Sequence, residues 1–168
     1  MQRTSGTCAI AIALLVGAGL SSGPALGAST SKSNADNQTF VRKATIGGMT
    51  EIQLSQLART RSSNDQVRQF ADLMITDHQQ AGDKLDKIAR QDGWQVPTAL
   101  DAKEQKALDA LKTRSGTEFD RAYAAKMKHD HVLAVALFKR EAASGKSADL
   151  KAFASETLPT LEEHLKKA

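Results

Sequence analysis

The sequence predicts an all-α protein, a bundle of four long helices with one short helix between the second and third. Three observations carry this expectation. Apolar residues recur three and four positions apart over long stretches, and no segment sustains the alternation of a strand. Polar capping clusters and glycines punctuate those stretches where helices would start and stop. A phrase is also written twice: Phe70–Ala81 returns 53 residues later as Tyr123–Ala134, with Ala, Met, Asp, His and Ala identical among twelve positions. A helix–turn–helix unit of about 50 residues, used twice, builds a four-helix bundle from two similar hairpins.

Residues 1–28 read as a secretory leader rather than as part of the fold. Arg3 precedes a run of apolar and small residues from Cys8 to Leu20, and Pro24–Ala28 ends in small residues, so cleavage is expected after Gly27 or Ala28. The run is too short and too rich in alanine for a stable membrane span. Residues 29–38 are polar and aperiodic and read as a flexible lead, leaving 39–168 as the bundle domain.

The first helix is expected from Thr39 to Arg61, with Phe40, Ala44, Gly48, Ile52 and Leu54–Leu57 on its apolar side. Gly47 and Gly48 each cost about 1 kcal/mol against alanine. Either close packing offsets that cost or the helix starts only after Gly48. Ser63-Asn64-Asp65-Gln66 has the form of a capping box and opens the second helix. Val67, Phe70, Ala71, Met74, His78, Ala81, Leu85, Ile88 and Ala89 make it the cleanest amphipathic stretch of the chain. Gly93 suits a left-handed stop, and Trp94 is expected to plug one end of the core.

Asp101-Ala102-Lys103-Glu104 starts the short helix, whose core residues are Leu108 and Leu111. At Ser115-Gly116 a new helix begins with Ser115 as cap, or one helix continues with a bend. Phe119, Tyr123, Met127, His131, Ala134 and Phe138 line the next face, and Ser144–Ser147 ends it. The last helix spans about Ala148–Lys166, with Pro159 inside it, where a missing hydrogen bond predicts a kink.

Composition narrows the function. Without the leader the chain holds 22 basic and 19 acidic residues, too balanced a mixture to indicate nucleic acid. No further apolar stretch is long enough for an integral membrane span. Cys8, the one cysteine, lies in the leader, so neither disulfides nor a thiolate nucleophile is expected afterwards. No Gly-x-Ser-x-Gly elbow and no phosphate-binding glycine loop occurs.

The histidines are the chemical signal. Of four, three sit on potentially buried helix positions: His78, His131 and His164. Glu51 lies 12 residues before the first turn and His78 about 15 after it, so the two are nearly level. His131 lies 14 residues before the last turn and His164 18 after it, roughly 6 Å deeper in a straight helix. Glu51, His78 and His131 are thus expected in one layer, with His164 joining it or lying in an adjacent one. Asp77 and Asp130 precede the paired histidines, about 100° around the helix from them. Each is either a ligand at the edge of the layer or an acceptor that orients an imidazole on a neighbouring helix. Imidazole and carboxylate together suit iron, zinc, manganese or copper. The Glu-x-x-His pairs of di-iron bundles are missing, which argues against ferritin-type oxidation. His129, beside Lys128, points elsewhere. The competing expectation is that the histidines only satisfy one another in the core of a structural or interaction module, self-associating or bound to an envelope partner.

Several short motifs in order resemble a known family. They are Phe40-Val41-x-x-Ala44-x-x-Gly47-Gly48-Met49-x-Glu51, Phe70-Ala71-x-x-Met74-x-x-Asp77-His78, Gly116-x-x-Phe119-Asp120-x-x-Tyr123, Met127-x-x-Asp130-His131 and Leu158-Pro159-Thr160-Leu161-x-x-His164-Leu165. Together they resemble a bacterial exported family of unknown function with ferritin-like four-helix architecture, often labelled outer-membrane or periplasmic. The resemblance implies a ferritin-like fold and a periplasmic location. It also implies Glu51, Asp77, His78, Asp130, His131 and His164 as the recurrent positions, and no established reaction.

Overall fold

The computed structural model describes residues 26–168, and side chains from residue 31. Most of the expected leader, residues 1–25, lies outside the described residues. Five helices follow in order: α1 (Leu26–Arg61), α2 (Asp65–Gln91), α3 (Ala102–Lys112), α4 (Gly116–Ser144) and α5 (Ala148–Lys167). The architecture is the expected one, a ferritin-like bundle of four long helices with the short α3 inserted. Helices α1 and α2 form one hairpin and α4 and α5 the other; α1 also packs on α4, α2 on α5, and α3 lies against α1 and α4.

Helix α1 starts at Leu26 rather than Thr39 and runs unbroken through Gly47-Gly48. The polar stretch before Thr39 is therefore helical, because its end is tied into the fold. Asn37 is buried, and the Gln38 side chain both donates to the Gln95 carbonyl and accepts from the Gln95 amide, each at 2.8 Å. The glycines are not repaid by close packing: a Cβ on Gly47 would meet nothing within 4 Å, and one on Gly48 only His78 Nδ1 at 3.8 Å.

The other boundaries follow from local chemistry. Asn64, not Ser63, caps α2, its side chain accepting from the Gln66 amide; the Ser62 hydroxyl accepts from the Asn64 amide at 3.1 Å. Moving the cap by one residue puts the Asn64 amide oxygen opposite the free first-turn donor. Gly93 takes φ +76° where α2 ends, and Trp94 packs against the core beside it. Asp101 caps α3. The chain restarts at Ser115, the N-cap of α4, with Gly116 at φ +56°. Helix α5 is continuous through Pro159.

Two apolar clusters fill the interior. One gathers Phe40, Phe138 and Phe153, with ring centroids 5.2 to 6.4 Å apart, together with Leu85, Leu150 and Leu161. The other holds Leu54, Met74, Leu108, Phe119, Tyr123 and Met127. Inside it the Tyr123 hydroxyl meets Ser55 Oγ at 2.8 Å, which pairs two polar atoms that burial would otherwise strand. Along α2 and α4, His78 and His131 fall between the residues of the two clusters, so a polar layer divides the core.

Candidate metal centre

Each histidine reaches that layer by helical spacing. His78 and His131 stand one turn after the buried Met74 and Met127, and His164 stands one turn after the buried Leu161. All three imidazoles are buried, as is Glu51 on α1. Ring centroids lie 5.3 to 5.5 Å apart for every histidine pair, and one ligand nitrogen from each lies within 4.8 Å of the others. His164 therefore joins the same layer rather than an adjacent one. Glu51 is the fourth member: its Oε1 lies 3.1 Å from His131 Nδ1 and its Oε2 3.4 Å from His78 Nε2.

The hydrogen bonds fix two of the tautomers. His131 Nδ1 lies 2.9 Å from the Met127 carbonyl, which only accepts, so Nδ1 carries the proton and Nε2 a lone pair. His164 Nε2 lies 2.9 Å from Asp77 Oδ2, so Nε2–H donates to the carboxylate, and in the neutral ring Nδ1 carries a lone pair. Those two lone pairs face each other, His131 Nε2 to His164 Nδ1, at 3.3 Å. With neutral rings no proton stands between them. Two ligands about 2.05 Å from a tetrahedral ion are themselves about 3.3 Å apart, so the spacing matches one edge of such a site. Two more buried atoms in the layer, His78 Nε2 and Glu51 Oε1, lack a hydrogen-bond partner. Unpaired buried polar atoms are costly, and a cation coordinated here would satisfy them together.

Electrostatics agrees. Burial, with the neighbouring histidines adding to it, holds His78 down at about 3. Burial likewise lowers His131 to about 4 against the Met127 hydrogen bond. Both rings are neutral, the form that binds metal. Glu51 is pushed well above the usual carboxylate range, by burial first and then by the nearby Asp130 charge. Adding a cation would reverse that.

The two aspartates of the repeat part company. Asp77 orients His164 through the bond just described. Asp130 instead takes both its oxygens to Lys126 Nζ, at 2.7 and 2.8 Å, and Lys126 also bonds Glu104 of α3 at 2.8 Å. The sequence reading passed over this Lys126–Glu104 bridge. The i,i+4 spacing of Lys126 and Asp130 was a visible signal; the approach of α3 was not. His129 is exposed, as its flanking charge suggested. The described residues thus contain a buried cluster of three histidines and one glutamate that can coordinate a metal ion.

Comparison with known proteins supports the fold. The profile of DUF4142, a domain of unknown function, matches residues 22–168. No curated protein matches the chain. Among solved structures, a DUF305 fragment from Deinococcus radiodurans is similar at a TM-score of 0.69 and 14% identity, over 78% of this chain and 91% of that one. At that identity the likeness speaks for the fold alone.

Proposed function

Because the chain belongs to the DUF4142 family, whose description assigns no activity, we propose a function from its own geometry: the bundle binds one transition-metal ion through His78, His131 and His164, with Glu51 as the fourth donor. The observation that carries this reading is the facing pair of ring nitrogens, His131 Nε2 and His164 Nδ1 at 3.3 Å, beside the unpartnered His78 Nε2 and Glu51 Oε1. The donor set suits zinc, copper, iron or manganese and disfavours calcium and magnesium, which take oxygen ligands. When bound, the ion would supply Lewis acidity or redox capacity according to its identity. Burial keeps His78 and His131 neutral, Asp77 orients His164, and Glu51 stands ready to balance the ion's charge. Taken with the leader read in residues 1–28, this makes the protein a periplasmic metal-handling or stress-related protein.

The test is metal content. Protein stripped with chelator and given zinc, copper, iron or manganese should take up about one ion per chain. His78→Ala with His131→Ala should abolish uptake, whereas His129→Ala should not. Full uptake by the double variant would sink the assignment.

A further inference from the structure

A cavity of about 570 Å³ adjoins the histidine layer on the side of the phenylalanine cluster, with Glu51 and His78 at one end and Phe138 and Phe153 in its wall. Small residues leave the space: Ala44, Gly47 and Gly48 on α1, Ala81 and Gly82 on α2, and Ala134 on α4. A Cβ on Gly47 or Gly82 meets no atom within 4 Å, so the backbone faces open space rather than a neighbour. The remaining wall is mainly apolar, and Leu133 of α4, 53% exposed, extends it to the surface.

The charges along the cavity are sorted. Near Glu51 the acids Glu104 and Asp130 are matched by Lys126, and Lys103 by Glu104, while Asp101, also in the wall there, accepts from the Glu104 amide as the cap of α3. Arg42 and Lys43 of α1 and Arg140 of α4 also line the cavity and make no ion pair with any described residue. Eight residues of helix separate Lys43 from Glu51, about 12 Å. The cavity therefore has a cationic rim, an apolar body and a polar floor, and its volume falls in the range of small-molecule sites.

We propose that this cavity binds a single-chain amphipathic anion of the medium-chain carboxylate type, its head at Arg42, Lys43 and Arg140 and its chain running inward between α1 and α4. The apolar wall takes the chain out of water, which supplies most of the affinity. The unpaired cations select the sign of the head group. The site does not depend on the metal.

Calorimetric titration of chelator-treated protein with decanoate, below its micelle-forming concentration, tests this. Decanoate should bind once per chain, and decan-1-ol and decyltrimethylammonium at least tenfold more weakly. Arg42→Gln with Arg140→Gln should weaken decanoate at least tenfold, and these exposed substitutions leave the core intact. Gly47→Leu should block the site by filling it, with the melting temperature confirming a folded protein. Equal binding of the cationic and anionic probes would overturn the proposal, as would unchanged binding by folded Gly47→Leu. A dimer in sedimentation that Leu133→Glu dissociates, with no decanoate bound, would assign the face to a second copy and also overturn it. Because the titrations use metal-free protein, failure here leaves the metal assignment standing, and loss of metal uptake leaves this one standing.

Discussion

Asp77 and Asp130 hold matching places in the repeated phrase and meet different partners, so the repeat makes a prediction that separates them. Asp77→Ala removes the acceptor that orients His164 and should lower metal affinity about 10- to 100-fold. Asp130→Asn breaks a contact to Lys126 and should leave affinity nearly unchanged. Equal losses, measured by competition with a chromogenic chelator, would show that Asp130 is itself a ligand. Glu51 makes a second prediction. Its raised pKa means that the metal-free fold holds a proton that the unfolded carboxyl has released, so Glu51 costs stability as pH rises above its ordinary 4.5. His78 and His131 act in the opposite sense. Held at about 3 and about 4, they refuse protons that the unfolded chain accepts, so metal-free stability falls as pH drops below the ordinary 6.5. Metal uptake at mildly acidic pH should then expel a proton from Glu51, not from the histidines. Calorimetry in buffers of different ionisation enthalpy should show this release, and Glu51→Gln should remove it. Persistent release in that variant would refute the account.

At the scale of the element, the ends of the helices were partly legible and partly not. Gly93 and Asp101 behave as their residue types demand, since a positive φ and a free first-turn amide select glycine and aspartate. At the start of α2 three neighbouring polar residues offered themselves, and the turn from α1 decided among them. Asn64→Ala should therefore cost about 1 kcal/mol in chemical denaturation, and Ser63→Ala a few tenths at most. A larger loss at Ser63 would restore the capping box. The reach of α1 before Thr39 was hidden for a related reason: its sequence is polar, and what orders its end is the Gln38–Gln95 pairing with the α2–α3 connection, 57 residues away.

For the whole molecule, the polar layer splits the core into two apolar clusters, and a ligand bound to it joins both hairpins. Metal that binds only the folded state at 100 times its dissociation constant should add about 2.7 kcal/mol of stability. For a domain of this size that corresponds to a rise of about 5 to 10 °C in melting temperature. Chelator should reverse the rise, and the His78→Ala, His131→Ala variant should show none. A melting temperature unmoved by metal would place binding outside the folded core.

The sequence by itself determined the four helices, their pairing into two similar hairpins, and the burial of His78 and His131, because helical periodicity and a repeat are local properties of the chain. It also brought Glu51 level with them, since rise per residue is fixed. It left His164 between two layers and the aspartates between two roles. Tertiary structure decided those points. The convergence of α5 on the layer brings His164 Nδ1 to 3.3 Å from His131 Nε2, and the approach of α3 draws Asp130 to Lys126 while Asp77 stays free to orient His164. Both depend on how helices distant in sequence come together, a geometry that periodicity within one helix does not encode.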